Sequence, residues 1–425
     1  MRLALLAHPR HPLRPPFDGG LEAHTALTVR HLARLGHDVT VFAREGSDLE
    51  ARDVGPRAGS VTVVPTLPVL PGPRPAPEAD GVQEQCQTPV NGTRWWSAEP
   101  WTPPSDDVMD AALTAACQQV LGGGFDAVLN NSLSPVPLQL LEELPMLTVL
   151  HTPATLPRVL AVLGRPGWRP SPLHRWASVS AANAATWSHW IPGIDVVHNG
   201  IETELWQSGS EPVPGRAVWV GRITEEKGLH MAIEAARGAG MELHFAGPIA
   251  DHDYVERMVL PLLGEDTVHR GHLDHAEVAA LMGEGEVCLV TPLWAEPFGL
   301  TAVEAMAVGT PVAAVLTGAM AEVVAPQAGA LAEHHTAAAL TAAVHTARTR
   351  SRTATRAWGQ TFSAAAMAES YDALLRQAIQ RSTSSADRGP GPGPGPGLGP
   401  GPNGPTSNRT GQAHRCSPER PWGTV

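Results

Sequence analysis

Ten short apolar runs constrain this chain more than any other feature: "RLALLA", "DVTVFA", "SVTVVP", "FDAVLN", "LTVL", "IDVVHN", "AVWVG", "MELHFAG", "EVCLVTP" and "TPVAAVL". The intervals between them leave room for a helix. Strands that alternate with amphipathic segments build βαβ units and parallel sheets. At 425 residues and 43% hydrophobic content, the chain can bury two such cores. The opening unit shows the pattern: "LEAHTALTVRHLARLGHDVTVF" spaces Leu21, Leu27, Leu32 and Leu35 among polar residues, stops at Gly36, and enters a β-branched strand.

The reading divides the chain into an α/β domain over 1–192 and a second over 193–358, with "PGIDVVHNGIE" as the passage between them. Residues 65–105, rich in proline, read as a surface excursion. The amphipathic stretch 359–381 reads as a helix that has no strand after it and must dock on something already built. The Gly/Pro repeat of 382–425 cannot bury a core and reads as disordered.

Composition excludes several classes. A formal charge of −12 speaks against nucleic acid or an anionic membrane as partner. Cys86, Cys117, Cys288 and Cys416 lack zinc-ligand or disulfide-framework spacing, which fits a reducing cytoplasm. The apolar start is too short for a signal sequence, and no stretch of about 18 apolar residues implies a membrane span. A P-loop needs Gly-Lys before Ser/Thr, and the first strand runs into no GxGxxG. Neither that type of ATP hydrolysis nor nicotinamide binding is expected.

Of the 30 Lys and Arg residues, one is lysine: Lys227, in "GRITEEKG". An ammonium on a flexible stem suits a point-like phosphate charge, and Gly221 and Gly228 allow close approach. Gly19 and Gly20, between the first strand and its helix, let a ligand reach backbone N–H groups. The sharpest stretch is "PLWAEPFGLTAVEAMAVGTPVAAV", residues 292–315. Glu296 sits on a loop, "LTAVEAMAV" forms a helix carrying Glu304, and the N–H groups of Gly299, Leu300 and Thr301 are left open for phosphate oxygens. The pair Asp251 and Asp253 in "IADHDYVE" resembles a metal-binding DxD, but it follows a strand of the second domain and reads as a solvated loop.

This last motif resembles the E-x7-E signature of the retaining, GT-B-fold glycosyltransferases of family 4. The resemblance extends to "VVHNGIE", "WVGRITEEKGLHMAIEAA", "HFAGP" and "PFDGGLEAHTALTVRHLARLGHDVTVF", over about residues 1–380. It implies two Rossmann-like domains facing across a cleft, with the 359–381 helix returning to the first. It implies metal-independent transfer of a hexosyl group from a nucleoside-diphosphate sugar to an unidentified hydroxyl acceptor, with no cofactor. By the same resemblance Arg222 and Lys227 hold the diphosphate, Glu296 the hexose and Glu304 the ribose. His151 resembles the histidine that touches the donor sugar, Ser180 a donor-side serine, and Arg270 and His272 fall where the base is held. The sequence departs from the family at Gly318–Ala319, where paired glycines are usual. A sugar-nucleotide epimerase and a decayed nucleotide-sugar-binding protein are the alternative readings of the same fold.

Overall fold

The computed structural model describes residues 1–49 except 16 and 18, residues 58–67, and residues 103–386 except 208. Residues 68–102 of the 65–105 excursion and the tail from 387 lie outside the described residues, whereas Pro65 ends β3 and Ser105 caps the helix Asp106–Gly122. Seven strands form the first sheet: β1 (Arg2–Leu6), β2 (Asp38–Ala43), β3 (Val61–Pro65), β4 (Ala127–Asn130), β5 (Met146–Leu150), β6 (His174–Ser178) and β7 (Asp195–Val196). Six form the second: β8 (Arg216–Val220), β9 (Glu242–Ala246), β10 (Thr267–His269), β11 (Val287–Val290), β12 (Val312–Val315) and β13 (Gly329–Ala332).

Every pairing is parallel, in the orders β3-β2-β1-β4-β5-β6-β7 and β10-β9-β8-β11-β12-β13. Helices cover both faces, so β4, β5, β11 and β12 are buried at every residue. That is why they read as unbroken apolar runs rather than alternating ones. In each sheet the order reverses direction between two central strands, β1 beside β4 and β8 beside β11. Loops leaving the carboxyl ends of strands at such a reversal diverge and open a crevice, the usual ligand position in these sheets. The Gly19–Gly20 loop follows β1, "GRITEEKG" follows β8, and "PLWAEPFG" follows β11.

Three expected boundaries move. The first sheet extends past residue 192, because β7 pairs with β6 through Ala177 and Ser178. The run "IDVVHN" marks this strand, but the sheet it joins is decided by its pairing with β6 and not by its own residues. The final helix is Ala364–Ala386, separate from the helix Arg352–Gly359, and not a single element over 359–381. The break is the crossing between the halves, where Ile201 N–H donates to Phe362 O (2.9 Å) and Ala364 N–H to Ile201 O (3.0 Å). For the same reason the sequence from 382 to 386 continues that helix and does not begin the tail.

From there the last helix packs on the first half. Tyr371 meets His24 (3.2 Å), and the Asp372 carboxylate lies 2.9 Å from His37 Nε2. Gly200 is required at the crossing, since a Cβ there would lie 2.4 Å from Ala364 N and Ser363 O. Gly200→Ala should lower stability by about 1–3 kcal/mol through overpacking. A thermal midpoint equal to that of wild type would contradict this.

Candidate active site

Two loops of the second half are stitched together before any ligand is considered. Thr291 Oγ1 donates to Lys227 O (2.8 Å) and receives Trp219 Nε1–H (3.0 Å), while Leu293 N–H donates to Glu226 O (2.8 Å). Gly228 makes this approach possible: its φ is +67°, and a Cβ would sit 2.3 Å from Thr291 O. The stitching aims Lys227 at the neighbouring loop, where its Nζ donates to Glu296 Oε2 at 2.8 Å. Trp294 Nε1–H donates to the same oxygen at 3.1 Å, and the ammonium lies 5.7 Å from the Trp294 ring centroid.

Glu296 is held by its backbone as well. Ala319 N–H donates to Glu296 O (2.9 Å), and a Cβ on Gly318, at φ +52°, would come 2.1 Å from that carbonyl. Gly318 alone therefore supplies the close approach that paired glycines give elsewhere in the family, and Ala319 is tolerated because its backbone does the bonding.

Gly299 (φ +93°) caps the helix Leu300–Ala307. Among the described residues, the N–H groups of Gly299, Leu300 and Thr301 have no acceptor, as first-turn geometry dictates. These open donors at the positive end of the helix dipole can receive an anion. One turn further on, Glu304 packs against Cys288, and burial raises its carboxyl from 4.5 to about 7. Burial of the Cys288 thiol, and secondarily the nearby Glu304 carboxyl, push that thiol up to about 12. The Glu304 side chain keeps some exposure and has no hydrogen-bond partner among the described residues. A carboxylate that is partly exposed and takes no protein donor is open to a ligand that brings hydroxyls.

The first half faces this loop. A Cβ on Gly20 would lie 3.1 Å from Leu300 Cδ1, which brings the Gly19–Gly20 turn against the open helix end. Ser180 is fully buried: its hydroxyl caps the helix Ala181–Trp187 and donates to Pro297 O at 2.6 Å. That hydroxyl braces the loop between Glu296 and Gly299 instead of facing open space. Glu322, from the second half, accepts Ala181 N–H (2.8 Å) and Ala182 N–H (2.6 Å) and binds His198 (3.2 Å).

His151 lies at the end of β5, its ring 4.6 Å from that of His24. Burial holds His151 well below the ordinary imidazole value, helped by His24 and His8, and lowers His24 to about 3 and His8 to about 4. All three are neutral at physiological pH. Such rings can donate and accept hydrogen bonds without attracting an anion.

The remaining expected residues hold other partners in this structure. Arg222 bonds Glu226 Oε1 (3.1 Å) at the surface. Arg270 approaches His244 Nδ1 (3.2 Å) and Glu284 (3.7 Å), and His272 is exposed with no such contact. Asp251 is not a freely solvated loop carboxylate, because it caps the short helix His252–Tyr254 by accepting Tyr254 N–H (2.9 Å). A cavity of about 580 Å³ beside it is lined by Glu225, Glu226, Asp251 and Asp253, whose charge disfavours phosphate.

Four residues of the arrangement carry no sequence signal recognised above: His24, Trp294, Glu322 and Tyr371. His24 stands one turn beyond Gly20, a local signal; Glu322 and Tyr371 depend on contacts between elements distant in the chain, and Trp294, which bonds Glu296 two residues on, meets Lys227 only across two loops.

Two Rossmann-like sheets whose switch-point loops meet around a lysine–glutamate pair and an open helix end define the GT-B glycosyltransferase class. Residues 18–205 match Glycosyltransferase Family 4 and residues 201–358 match Glycosyl transferases group 1. The chain belongs to glycosyltransferase family 4 and is an enzyme of that class. It is 28% identical over 361 residues to MMP alpha-(1->4)-mannosyltransferase of Mycolicibacterium hassiacum, covering 77% of this chain and 84% of that protein. Sucrose-phosphate synthase from Thermosynechococcus elongatus has the same fold, with a TM-score of 0.64 at 20% identity over 89% of this chain and 99% of that one. So does HepE of Anabaena, solved in complex with UDP and glucose, with a TM-score of 0.58 at 16% identity over 89% and 100%. No helix among the described residues is long and apolar enough to cross a membrane.

Proposed function

We propose that this glycosyltransferase moves a hexosyl group from a nucleoside-diphosphate sugar to a hydroxyl acceptor, with retention at the anomeric carbon. The observation that carries the reading is the Lys227–Glu296 contact of 2.8 Å beside the open N–H groups at 299–301. A diphosphate placed there meets an ammonium and a helix dipole, and its hexose meets the Glu296 carboxylate. Further along the helix, Glu304 accepts the two vicinal ribose hydroxyls. The complex of HepE with UDP and glucose supports a donor of this kind for the fold. The mannosyltransferase relative supports a hexose as the group moved.

As the glycosidic bond breaks, negative charge grows on the leaving diphosphate. Lys227 and the helix end stabilise it where it develops, with Arg222 joining after it leaves Glu226. In this reading the acceptor attacks from the face the diphosphate leaves, and a diphosphate oxygen takes its proton, which accounts for retention without a protein nucleophile. Neutral His151 donates or accepts a hydrogen bond at the donor sugar. Charge on the diphosphate is met by protein groups, so the reaction needs neither metal nor cofactor. Buried free thiols at Cys117 and Cys288 suit the cytoplasm, where sugar nucleotides are made.

An epimerase would release nucleoside diphosphate without an acceptor or not at all, and a decayed binding protein would not turn over. The test is calorimetric binding of UDP, GDP and ADP with and without EDTA, followed by assay of the matching sugar nucleotides against a panel of hydroxyl acceptors. The expected result is that one nucleotide binds irrespective of EDTA and that its release depends on acceptor. If binding of all three is absent, or lost with EDTA, the reading fails.

A further inference from the structure

We infer that Trp294 is a positioning residue that lets the site tell a sugar nucleotide from the bare nucleotide, an inference that rests on the transferase reading above. One indole meets both charges of the central pair. Its Nε1–H donates to Glu296 Oε2 (3.1 Å), and the Lys227 ammonium lies over its ring, 5.7 Å from the centroid. An indole is electron-rich on its face and electron-poor at its N–H edge, so it attracts the cation with one surface and the anion with the other.

Lys227 donates to the same carboxylate oxygen that receives the indole N–H, and Oε1 has no partner among the described residues. Two donors converging on Oε2 leave the carboxylate little rotational freedom, and Oε1 is the oxygen available to a sugar hydroxyl. The backbone beneath is equally constrained: Thr317 Oγ1 donates to Trp294 O (3.1 Å), and Leu293 N–H is bonded to Glu226 O.

The two donors cease to be equivalent once a diphosphate arrives. The ammonium is then shared with phosphate oxygens, whereas the indole N–H donates to no other acceptor among the described residues. Trp294 becomes the main restraint on Glu296 in the donor complex. Since Glu296 meets the hexose and not the nucleotide, the influence of Trp294 is confined to the sugar.

Trp294→Phe keeps a ring beneath the ammonium and deletes the N–H. Affinities of UDP, GDP and ADP and of UDP-glucose, GDP-mannose and ADP-glucose would be measured by calorimetry for wild type, W294F, E296Q and the double variant. The sugar nucleotide that wild type binds should weaken about tenfold in W294F, the loss expected for one hydrogen bond to a charged group. The matching bare diphosphate should stay within about twofold, as for an uncoupled site. Adding W294F to E296Q should cost nothing further, because the two act through one carboxylate.

Equal losses for sugar nucleotide and bare diphosphate in W294F would make Trp294 a general support of the loop and overturn the inference. So would fully additive losses in the double variant. If wild type binds no sugar nucleotide at all, the transferase reading falls and takes the role of Trp294 with it.

Discussion

Lys227→Ala should lower turnover of the sugar nucleotide by about a hundredfold, equivalent to about 3 kcal/mol of transition-state stabilisation. The reason is positional. The lysine backbone is held by Thr291, its ring neighbour is Trp294, and its Nζ reaches Glu296 at 2.8 Å. Alanine removes the cation paired with Glu296 and leaves that carboxylate, with 13% of its side chain exposed, without its ion-pair partner. Affinity for the intact sugar nucleotide should fall by a smaller factor of about ten, because its diphosphate carries less charge before the bond has broken. Lys227→Arg should not restore the rate, since a planar fork cannot occupy the ammonium's place over the indole face while donating to a single oxygen. Single-turnover assays with the bound sugar nucleotide check both variants, and a K227A rate within threefold of wild type would remove Lys227 from the chemistry.

Glu304→Gln should make the protein more stable and bind nucleotide less well, with both effects depending on pH. Burial raises the folded-state carboxyl from 4.5 to about 7. Stability from the neutral carboxyl is therefore fully present below pH 4.5, declines as pH rises, and is lost by the time pH passes 7. At about 1.36 kcal/mol per unit the full penalty is about 3 kcal/mol, trimmed to about 2 kcal/mol by the carboxylate's partial exposure. The glutamine variant carries no such penalty, so its advantage should reach about 2 kcal/mol at pH 8 and shrink below about 1 kcal/mol at pH 5.

Binding runs the other way. Only the ionised carboxylate accepts two ribose hydroxyls at full strength, so wild-type affinity should rise as pH passes through 7. E304Q should bind about tenfold more weakly at pH 8 and lose that rise. Thermal unfolding and nucleotide titration at pH 5 and pH 8 measure the pair of effects. A variant less stable than wild type at pH 8 would show that Glu304 is held by a structural bond and does not await a ligand.

Most of the architecture was legible because a buried parallel strand must be apolar along its whole length. All ten apolar runs coincide with strands in the two sheets. The strands that escaped notice are β6, β10 and β13. Their sequences, "HRWAS", "TVH" and "GALA", are too polar, too short or too rich in helix formers to stand out. They form because neighbours offer a ladder: β13 pairs along its full length with β12. The boundary at 192 fell short because β7 joins the first sheet only by pairing with β6, and the start of the last helix was misplaced because the crossing at 200–201 and 362–364 is a contact between segments more than 150 residues apart.

At the site, the lone lysine, the helix-entry pattern of 292–315 and the family resemblance together marked Lys227, Glu296, Glu304 and the helix end, because each belongs to a continuous segment whose local geometry is set by its glycines. Gly228, Gly299 and Gly318 all take positive φ that other residues resist, and their side-chain-free faces admit Thr291, Met320 and Glu296. What the linear text could not show is which groups share an atom. That Trp294 and Lys227 meet on one oxygen of Glu296, that Ser180 is consumed in bracing Pro297, that Arg270 turns to Glu284, and that Tyr371 reaches His24 from a returning helix follow from packing between elements far apart in sequence. Hydrophobic period and glycine placement are local properties and survive in one dimension. The pairing of polar groups depends on distances that exist only once the two sheets have packed.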